Sequence, residues 1–385
     1  MSDPIFIYLD SSDYSAMSEP RGIRPELMKV RDACREFAVD PRIRFVYSAV
    51  HISEMAPLDT LYADAAAARA DLLVELCARN ALIPFTQLYD LELERLVLCE
   101  EKPIVIVSPD GDWFDMPDTD FETLRIDWQK TASGALADMF EGRPPSRKMR
   151  RIVASATRKA QSNTRQGRGI PLEDWPFRPR EAKVFMAFAA GGSSKEDIEE
   201  AFREALRDPA HMMRWFRSEK GSRSSLSNLL RKPANEMMTN MRQYAARFAD
   251  LRQASADEVD TFLHSFNWSE KADEMLLKVC SSILGRKNAA GSVPAIDDVV
   301  RFCPGISAQI RTLFGVLRTV MEGGKRTPTD SAFVDSAHAL YAPYVSVFRA
   351  DKSMAPNIAR ATNESDVRIA RLLTEVPAIV NDLLA

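Results

Sequence analysis

The sequence predicts an α/β fold whose parallel sheet is split along the chain by a large, mainly helical insertion. Residues 4–10 (PIFIYLD) form a short apolar run that ends in an acid, as a buried parallel strand often does. A second apolar run at 344–348 is likewise followed by an acid, Asp351. Most segments between about 90 and 305 instead have helical periodicity and helix-forming composition. The simplest architecture is therefore a small α/β domain interrupted by an insertion of roughly 200 residues.

Further elements of the α/β part are predicted on either side of this insertion. They are a helix at 25–38, a strand at 44–47, an alanine-rich helix at 62–79, a strand at 81–86 and a late helix at 332–341. Ser48 directly follows the second strand and is placed to cap a short helix that carries Glu54 within its first two turns.

Within the insertion, the helical pattern is clearest at 194–208, 255–266 and 271–284. Residues 103–116 are an exception, because PIVIVS favours a strand or hairpin arm and the turn Pro109-Asp110-Gly111 follows it. We therefore expect the insertion to be mainly, but not wholly, α-helical.

The composition of the 385 residues excludes several classes of protein. Apolar residues make up 45% and charged residues 28%, which is typical of a folded soluble chain and not of a disordered or polytopic membrane protein. No G-x-G-x-x-G or P-loop motif occurs, which argues against a dinucleotide or nucleoside triphosphate site. The N-terminus has no basic leader, and no run reaches the roughly 18 apolar residues of a membrane span. The five cysteines form no C-x-x-C pair. We therefore expect a cytoplasmic protein with reduced thiols and no membrane contact.

Four acids stand out by their position. Asp10 follows the first strand, Glu54 lies in the helix after the second, Asp335 lies in the late helix, and Asp351 follows the last strand. In open α/β sheets, ligands bind outside the carboxyl ends of the strands, where these acids are expected to gather. Converging carboxylates repel one another unless a cation neutralises them, and their oxygens suit Mg²⁺ or Mn²⁺. Convergence would therefore create a metal site suited to hydrolysing a phosphodiester.

Other roles for two of these acids remain open at this point. Asp10 is equally suited to cap the helix that follows it. Asp330 competes with Asp335, because Asp330 is placed to cap the late helix and the two lie about 140° apart around it. The spacing alone does not decide which of the two faces the pocket.

Three further side chains near these acids have more than one possible role. His338 lies three residues after Asp335, where it could bond that carboxylate, contact a phosphate, or simply pack in the interior. Arg349 and Lys352 flank Asp351 and could hold a phosphate or form surface charge pairs of little energetic value.

The ordered segments IFIYLDSS, FVYSAVHISEMA, DSAFVDSAHALYAPY and VSVFRADKSM resemble the PIN-domain superfamily. Its members carry an Asp after the first strand, a helix with Ser and then Glu, an Asp on a later helix and an Asp after the following strand. All four acids of this chain match that pattern. By resemblance, Asp10, Glu54, Asp335 and Asp351 are the metal-binding, catalytic acids, with Ser11 or Ser12 in the small polar position after the first Asp.

The resemblance implies a three-layer α/β/α fold with a central parallel sheet, and a ribonuclease activity that depends on Mg²⁺ or Mn²⁺. It covers residues 1–90 and 320–385, which are predicted to form the PIN-like core. Residues 91–319 form the mainly helical insertion, which separates the second and third acids far more than a compact domain of roughly 130 residues allows.

A basic segment within the insertion predicts contact with nucleic acid. Residues 143–168 contain nine Lys and Arg residues and no acids, although the whole chain has a net charge of −4. Clustered cations displace counterions from a phosphate backbone, which gives affinity that does not depend on sequence. The residues predicted to bind are Arg147, Lys148, Arg150, Arg151, Arg158, Lys159 and Lys352. A second basic segment, 214–232, includes Trp215 and Phe216, which either stack on bases or belong to the core.

These expectations together describe a metal-dependent, PIN-like endoribonuclease, in which metal-activated water attacks phosphorus and the basic insertion holds RNA. Two alternatives remain open: the same pocket acting on DNA, and a non-catalytic module that keeps the fold and binds nucleic acid or protein. PIN-like proteins include toxins held by an antitoxin, so the resemblance also allows an inhibitory protein partner.

Overall fold

The computed structural model divides into two compact units, one formed by residues 1–115 and 228–385 and the other by 116–227. The first unit therefore includes the N-terminal and C-terminal segments that carry the four predicted acids. The residues that the structure describes are 4–19, 22–55, 63–116, 121–124, 146–165, 175–217, 266–286, 294–321, 336–363 and 365–385.

A parallel sheet lies at the centre of the first unit. Its described strands are β1 (Ile5–Tyr8), β2 (Ile43–Val46), β3 (Val347–Arg349) and β4 (Arg368–Ala370), in the order β2-β1-β3-β4. All three pairings are parallel. The predicted α/β class with a parallel sheet is thus confirmed, and the largely helical remainder is compatible with a three-layer α/β/α arrangement.

The predicted strand at 81–86 is wrong as an extended element. Only Ala81 and Leu82 form isolated bridges, parallel to Tyr47 and antiparallel to Val107 respectively. A helix already begins at Phe85, because Pro84 fixes the backbone just before its first residue. The bridge to Val107 does agree with the expected hairpin arm in the PIVIVS segment.

Helices of the first unit pack against the sheet and against one another. In chain order they are α1 (Ser11–Met17), α2 (Pro25–Ala38), α3 (Ala49–Met55), α4 (Ala63–Cys77), α5 (Phe85–Leu98), Trp268–Arg286, Ile296–Phe302, Pro304–Met321, Ala355–Ala361 and Val376–Leu384. Helices α2 and α4 contact β2, and the C-terminal helix contacts β3 and β4. Short 3-10 turns at Ala342–Tyr344 and Leu373–Glu375 complete the unit.

Aromatic side chains of neighbouring strands form the core beneath the carboxyl edge of the sheet. Tyr8 of β1 stacks on Phe348 of β3 with ring centroids 5.0 Å apart, and both are fully or almost fully buried. Tyr341 also stacks on Tyr8, with ring centroids 6.2 Å apart, and donates its hydroxyl to the Ile83 carbonyl. Such offset aromatic contacts stabilise a core beyond the area they bury, so they fix how β1 and β3 pair.

A buried carboxylate joins α5 to the helix Pro304–Met321. Glu92 has no solvent exposure and accepts hydrogen bonds from the backbone N–H groups of Gly305 and Ile306, at 2.6 and 2.9 Å. The Tyr344 hydroxyl is its third donor. These N–H groups belong to the first turn of the helix, where a negative charge is favoured. A Cβ atom at Gly305 would lie 2.6 Å from the Leu340 carbonyl oxygen, so only glycine fits there.

The second unit contains a 3-10 turn and four described helices around an aromatic core. They are Phe121–Leu124, Arg147–Arg165, Pro179–Ala189, Lys195–Leu206 and Pro209–Arg217. Trp215 and Phe216 are buried there, at 7% and 3% exposure, so their packing role is the one the structure supports. Among the described helices of the whole chain, none combines the length and apolar character needed to cross a bilayer.

Candidate active site at the carboxyl edge of the sheet

The pairing of β1 with β3 brings two of the predicted acids to the same edge of the sheet. Tyr8 lies opposite Phe348 in the parallel register. Asp10 follows Tyr8 by two residues and Asp351 follows Phe348 by three, so both acids come just after the carboxyl ends of adjacent strands. Neighbouring strands are roughly 4.8 Å apart, which places the two backbones within reach of one ligand.

Asp10 and Asp351 each use one carboxylate oxygen to cap the chain that follows. Oδ1 of Asp10 accepts from the Ser12 N–H at 2.6 Å at the start of α1. Oδ1 of Asp351 accepts from the N–H groups of Ser353 and Met354, both at 2.7 Å, and from the Ser353 hydroxyl. Within the described residues, Oδ2 of each acid accepts no hydrogen bond. The capping role considered for Asp10 is therefore real, and it still leaves one oxygen per acid for a cation.

An unpredicted acid, Asp13, connects these two strand ends. It is 1% exposed, and its Oδ2 accepts from the Asp10 N–H at 2.9 Å while its Oδ1 pairs with Nη2 of Arg349 at 2.8 Å. Burial raises the pKa of Asp13 to about 7, although the Arg349 guanidinium opposes the increase. Arg349 thus does not form a surface charge pair, and its possible contact with a phosphate stays a prediction. It forms an internal link between β3 and α1, which carries Asp10 at its N-cap.

Glu54 is held at this edge by His338. Nε2 of His338 lies 3.0 Å from Oε2 of Glu54, and the Glu54 side chain is 21% exposed. Burial by itself would raise the pKa of Glu54, but the interaction with His338 outweighs it, so the pKa lies below its ordinary value. The carboxylate is therefore ionised at neutral pH. Of the roles considered for His338, the structure shows packing together with a hydrogen bond to Glu54.

A second histidine fixes the helix that carries Glu54. His51 is fully buried, and burial lowers its pKa to about 3, with His338 acting in the same direction. The imidazole is therefore neutral, with Nε2–H donating to the Leu9 carbonyl at 2.7 Å and Nδ1 accepting from the Ser48 N–H at 3.1 Å. The bond to Leu9 ties α3 to the residue just before Asp10. Ser48 also caps α3, since its hydroxyl accepts from the Val50 N–H at 3.3 Å.

Sequence reasoning missed Asp13 and His51, although each has a signal in the sequence. Asp10 and Asp13 form a D-x-x-D pattern, which is a carboxylate version of the capping box. His51 and Glu54 are three residues apart, so they share one face of a short helix. No local pattern points to the Asp13–Arg349 pair, because its partners are brought together only by the β1–β3 pairing.

The oxygen donors at this edge suit a hard divalent cation. Carboxylates of Asp10, Glu54 and Asp351 are the ligand type that Mg²⁺ and Mn²⁺ prefer, and the buried Ser11 hydroxyl lies beside Glu54. Within the described ranges, no three His, Cys, Asp or Glu side chains are close enough together to hold a metal ion. Asp335 and its competitor Asp330 lie outside those ranges, so the third predicted ligand and the choice between the two stay predictions.

The predicted nucleic-acid contacts fall in two places. Lys352 is exposed directly after Asp351, at the acidic edge. The helix Arg147–Arg165 of the second unit carries the others, and the five with described side chains are exposed: Arg147, Lys148, Arg151, Arg158 and Lys159. Arg150 lies in the same helix.

No family model, curated protein or solved structure matches this chain. The functional argument therefore depends on the geometry of the described residues and on the order of the acids in the sequence.

Proposed function

We propose that this chain is a PIN-like endoribonuclease with a three-layer α/β/α core, in which Asp10, Glu54, Asp335 and Asp351 hold Mg²⁺ or Mn²⁺. The observation that carries the proposal is the parallel pairing of β1 with β3. The paired residues of these two strands are some 340 positions apart in the chain. This pairing brings together the strand ends that precede Asp10 and Asp351, and each of these acids has one carboxylate oxygen outside the capping bonds. In open α/β sheets, ligands bind outside the carboxyl ends of the strands, and these two acids directly follow such strand ends.

The chain's own groups would have three tasks in phosphodiester hydrolysis. A divalent cation supplies the Lewis acidity that lowers the pKa of water and neutralises charge on the phosphoryl oxygens. Asp10 and Asp351 would hold it from the two strand ends, and Glu54 would hold it from α3. The Asp13–Arg349 pair and the two histidines keep these acids in place, which limits the reorganisation needed when phosphate binds.

RNA would be bound by cations rather than by base-specific contacts. The exposed Lys and Arg residues of the helix Arg147–Arg165 offer a phosphate-binding surface, with Arg151 and Arg158 seven residues apart on one face. Lys352 would contact phosphate near the acids, because it directly follows Asp351. Binding of this kind weakens steeply as the salt concentration rises.

The test is a cleavage assay with the full-length chain on a fluorescent single-stranded RNA and on DNA of the same sequence. The protein is assayed with Mn²⁺, with Mg²⁺ and with a chelator, and it is compared with Asp10→Asn and Asp351→Asn. Losing a group that merely supports a metal ligand costs about 10–100-fold, so losing a ligand should cost at least about 100-fold in rate. Asp32→Asn is the matched control, since Asp32 is 59% exposed on α2 and distant from the strand ends in sequence.

The outcomes of this assay distinguish the proposed function from its two alternatives. Metal-dependent cleavage of RNA that is lost in both site variants and kept in Asp32→Asn supports the proposal. Cleavage of DNA alone favours the DNA-directed alternative. If the protein binds RNA but Mn²⁺ neither promotes cleavage nor raises the melting temperature, the non-catalytic alternative replaces the enzyme, because any ligand of the native state should stabilise it. An inhibitory protein partner stays a prediction of the family resemblance.

A further inference from the structure

The hydrogen bond to Glu54 is the end of a buried relay that begins in the sheet. Ser48 lies 2.8 Å from the Tyr8 hydroxyl, that hydroxyl lies 2.5 Å from Nδ1 of His338, and Nε2 of His338 lies 3.0 Å from Glu54. Tyr8 and Ser48 have no exposure and His338 has 4%. The four side chains come from β1, the N-cap of α3, the helical residues 336–339 and α3 itself.

Proton positions in this relay follow from the acceptors. Oε2 of Glu54 lies 3.0 Å from Nε2 of His338, and a carboxylate oxygen accepts, so Nε2 carries the proton of this hydrogen bond. Burial raises the pKa of Tyr8 well above its ordinary value, so its hydroxyl keeps its proton. Nε2–H of His338 donates to Glu54, Nδ1 pairs with the Tyr8 hydroxyl, and that hydroxyl pairs with the Ser48 hydroxyl. Every polar group of the relay then has a partner, which is what a buried network requires.

We propose that His338 is a positioning residue for the candidate cation site: its Nε2–H fixes the orientation of the Glu54 carboxylate, and Tyr8 fixes the orientation of the His338 ring. The inference rests on the proposed function, because it assigns Glu54 to the cation. Its second support is the restricted freedom of the ring, which is held on both nitrogens and stacks edge-on against Tyr8 and His51 at 5.5 and 5.0 Å. A ring held in this way can offer its donor in one direction only.

The polar character of this buried relay indicates that His338 positions Glu54 and does not only fill space. An apolar side chain could fill the same volume without three polar groups that must all be paired inside the protein. Here the hydrogen bonds lead from the fully buried Ser48 and Tyr8 to Glu54, the one carboxylate of the relay, whose side chain is 21% exposed. Groups that bond to metal ligands from behind commonly set the orientation and basicity of those ligands.

Two substitutions of His338 separate its two nitrogens. Asparagine places an amide near the Nδ1 position, so His338→Asn keeps a partner for Tyr8 and loses the donor to Glu54. Glutamine places its amide near the Nε2 position, so His338→Gln keeps the donor to Glu54. His211→Asn is the matched control, because His211 is also partly buried and its Nε2–H donates to the Pro176 carbonyl, but it lies in the second unit.

The experiment measures the Kd for Mn²⁺ by calorimetry on full-length protein, with folding of each variant checked by circular dichroism. We expect His338→Asn to weaken Mn²⁺ binding about 10–100-fold and His338→Gln to bind within a few-fold of the native chain, as for other groups behind metal ligands. His211→Asn should bind as the native chain does. A purely structural role would lower the melting temperature of both His338 variants and leave the Kd of the folded protein unchanged.

Failure of this inference differs from failure of the proposed function. If the native chain does not bind Mn²⁺, the proposed function is wrong and the inference falls with it. If the native chain binds Mn²⁺ and Glu54→Gln weakens binding while His338→Asn does not, the positioning role alone is refuted. Equal loss of affinity in His338→Asn and His338→Gln would also refute it, because the donor to Glu54 would then not be the cause.

Discussion

Replacing Glu92 by glutamine should change how the stability of this protein depends on pH. Glu92 is fully buried, and its three hydrogen-bond donors, the Gly305 and Ile306 N–H groups and the Tyr344 hydroxyl, carry no formal charge. Burial therefore dominates and raises the pKa of Glu92 to about 7 from an ordinary value of 4.5. Glutamine has nearly the same shape and does not titrate.

The sign and size follow from proton linkage. A carboxyl whose pKa is higher in the folded state contributes stability that is fully present below the unfolded pKa of 4.5 and is lost as the pH rises to about 7. At 1.36 kcal/mol per pH unit, the native chain should lose about 2–3 kcal/mol from this group between pH 5 and pH 8, most of it below pH 7. Glu92→Gln lacks this loss. It also leaves one backbone N–H without an acceptor, at a pH-independent cost of about 1–3 kcal/mol.

The assay is urea unfolding of both proteins at pH 5, 6, 7 and 8. The free energy of unfolding of the native chain minus that of Glu92→Gln should decrease by about 2–3 kcal/mol across this range. Glu94→Gln is the control, because Glu94 lies two residues away on the same helix and is exposed, so its profile should parallel that of the native chain. A constant difference between the native chain and Glu92→Gln at all four pH values would refute the reasoning.

Two further predictions concern backbone space and phosphate binding. Gly305→Ala should lower the free energy of unfolding, measured in urea, by about 1–3 kcal/mol, because its Cβ would lie 2.6 Å from a backbone oxygen. Gly285→Ala has no atom within 4 Å of its Cβ, so it should be neutral or stabilise the helix by up to about 1 kcal/mol. Equal effects at the two glycines would contradict the packing argument. Arg151→Ala combined with Arg158→Ala should weaken RNA binding and reduce the slope of log affinity against log salt by about 1.4, while Lys29→Ala, also exposed but on α2, should change neither. Fluorescence anisotropy at four salt concentrations measures both, and an unchanged slope would remove this helix from the RNA-binding surface.

The sequence predicted the strands that carry the acids because their signal is local. Apolar runs ending in an acid identified β1 and β3 to within a few residues, and the acids do follow both strand ends. The strand Arg368–Ala370 was not predicted, since it has three residues and begins with an arginine that is exposed at the edge of the sheet. The proposed strand at 81–86 was overridden by Pro84, which starts a helix.

The supporting contacts of the site could not be predicted, because they join residues far apart in the chain. Glu54 and His338 are 284 positions apart, and the Tyr8–His338 bond spans 330. The sequence offered Asp335, three residues away on the expected helix, as a partner for His338; Asp335 lies outside the described residues, and among those described the fold supplies Glu54, which local spacing could not indicate. Local spacing identifies candidates on one helix face, and it says nothing about which strand end lies opposite.

The helical insertion contributes to the assembly of the site through Glu92. Pairing β1 with β3 directly would close a loop of about 340 residues, at an entropic cost that grows as (3/2)RT ln n. Docking of Gly305 on Glu92 first shortens that loop to about 127 residues, 85 from Ile7 to Glu92 and 42 from Gly305 to Val347, which lowers the cost of this pairing step by about 1 kcal/mol. The carboxylate is thus a folding contact for the strand that carries Asp351, although it lies outside the acidic edge. A change at Glu92 should therefore reduce Mn²⁺ binding only as far as it unfolds the protein, whereas a change at Glu54 or Asp351 should reduce it in the folded state.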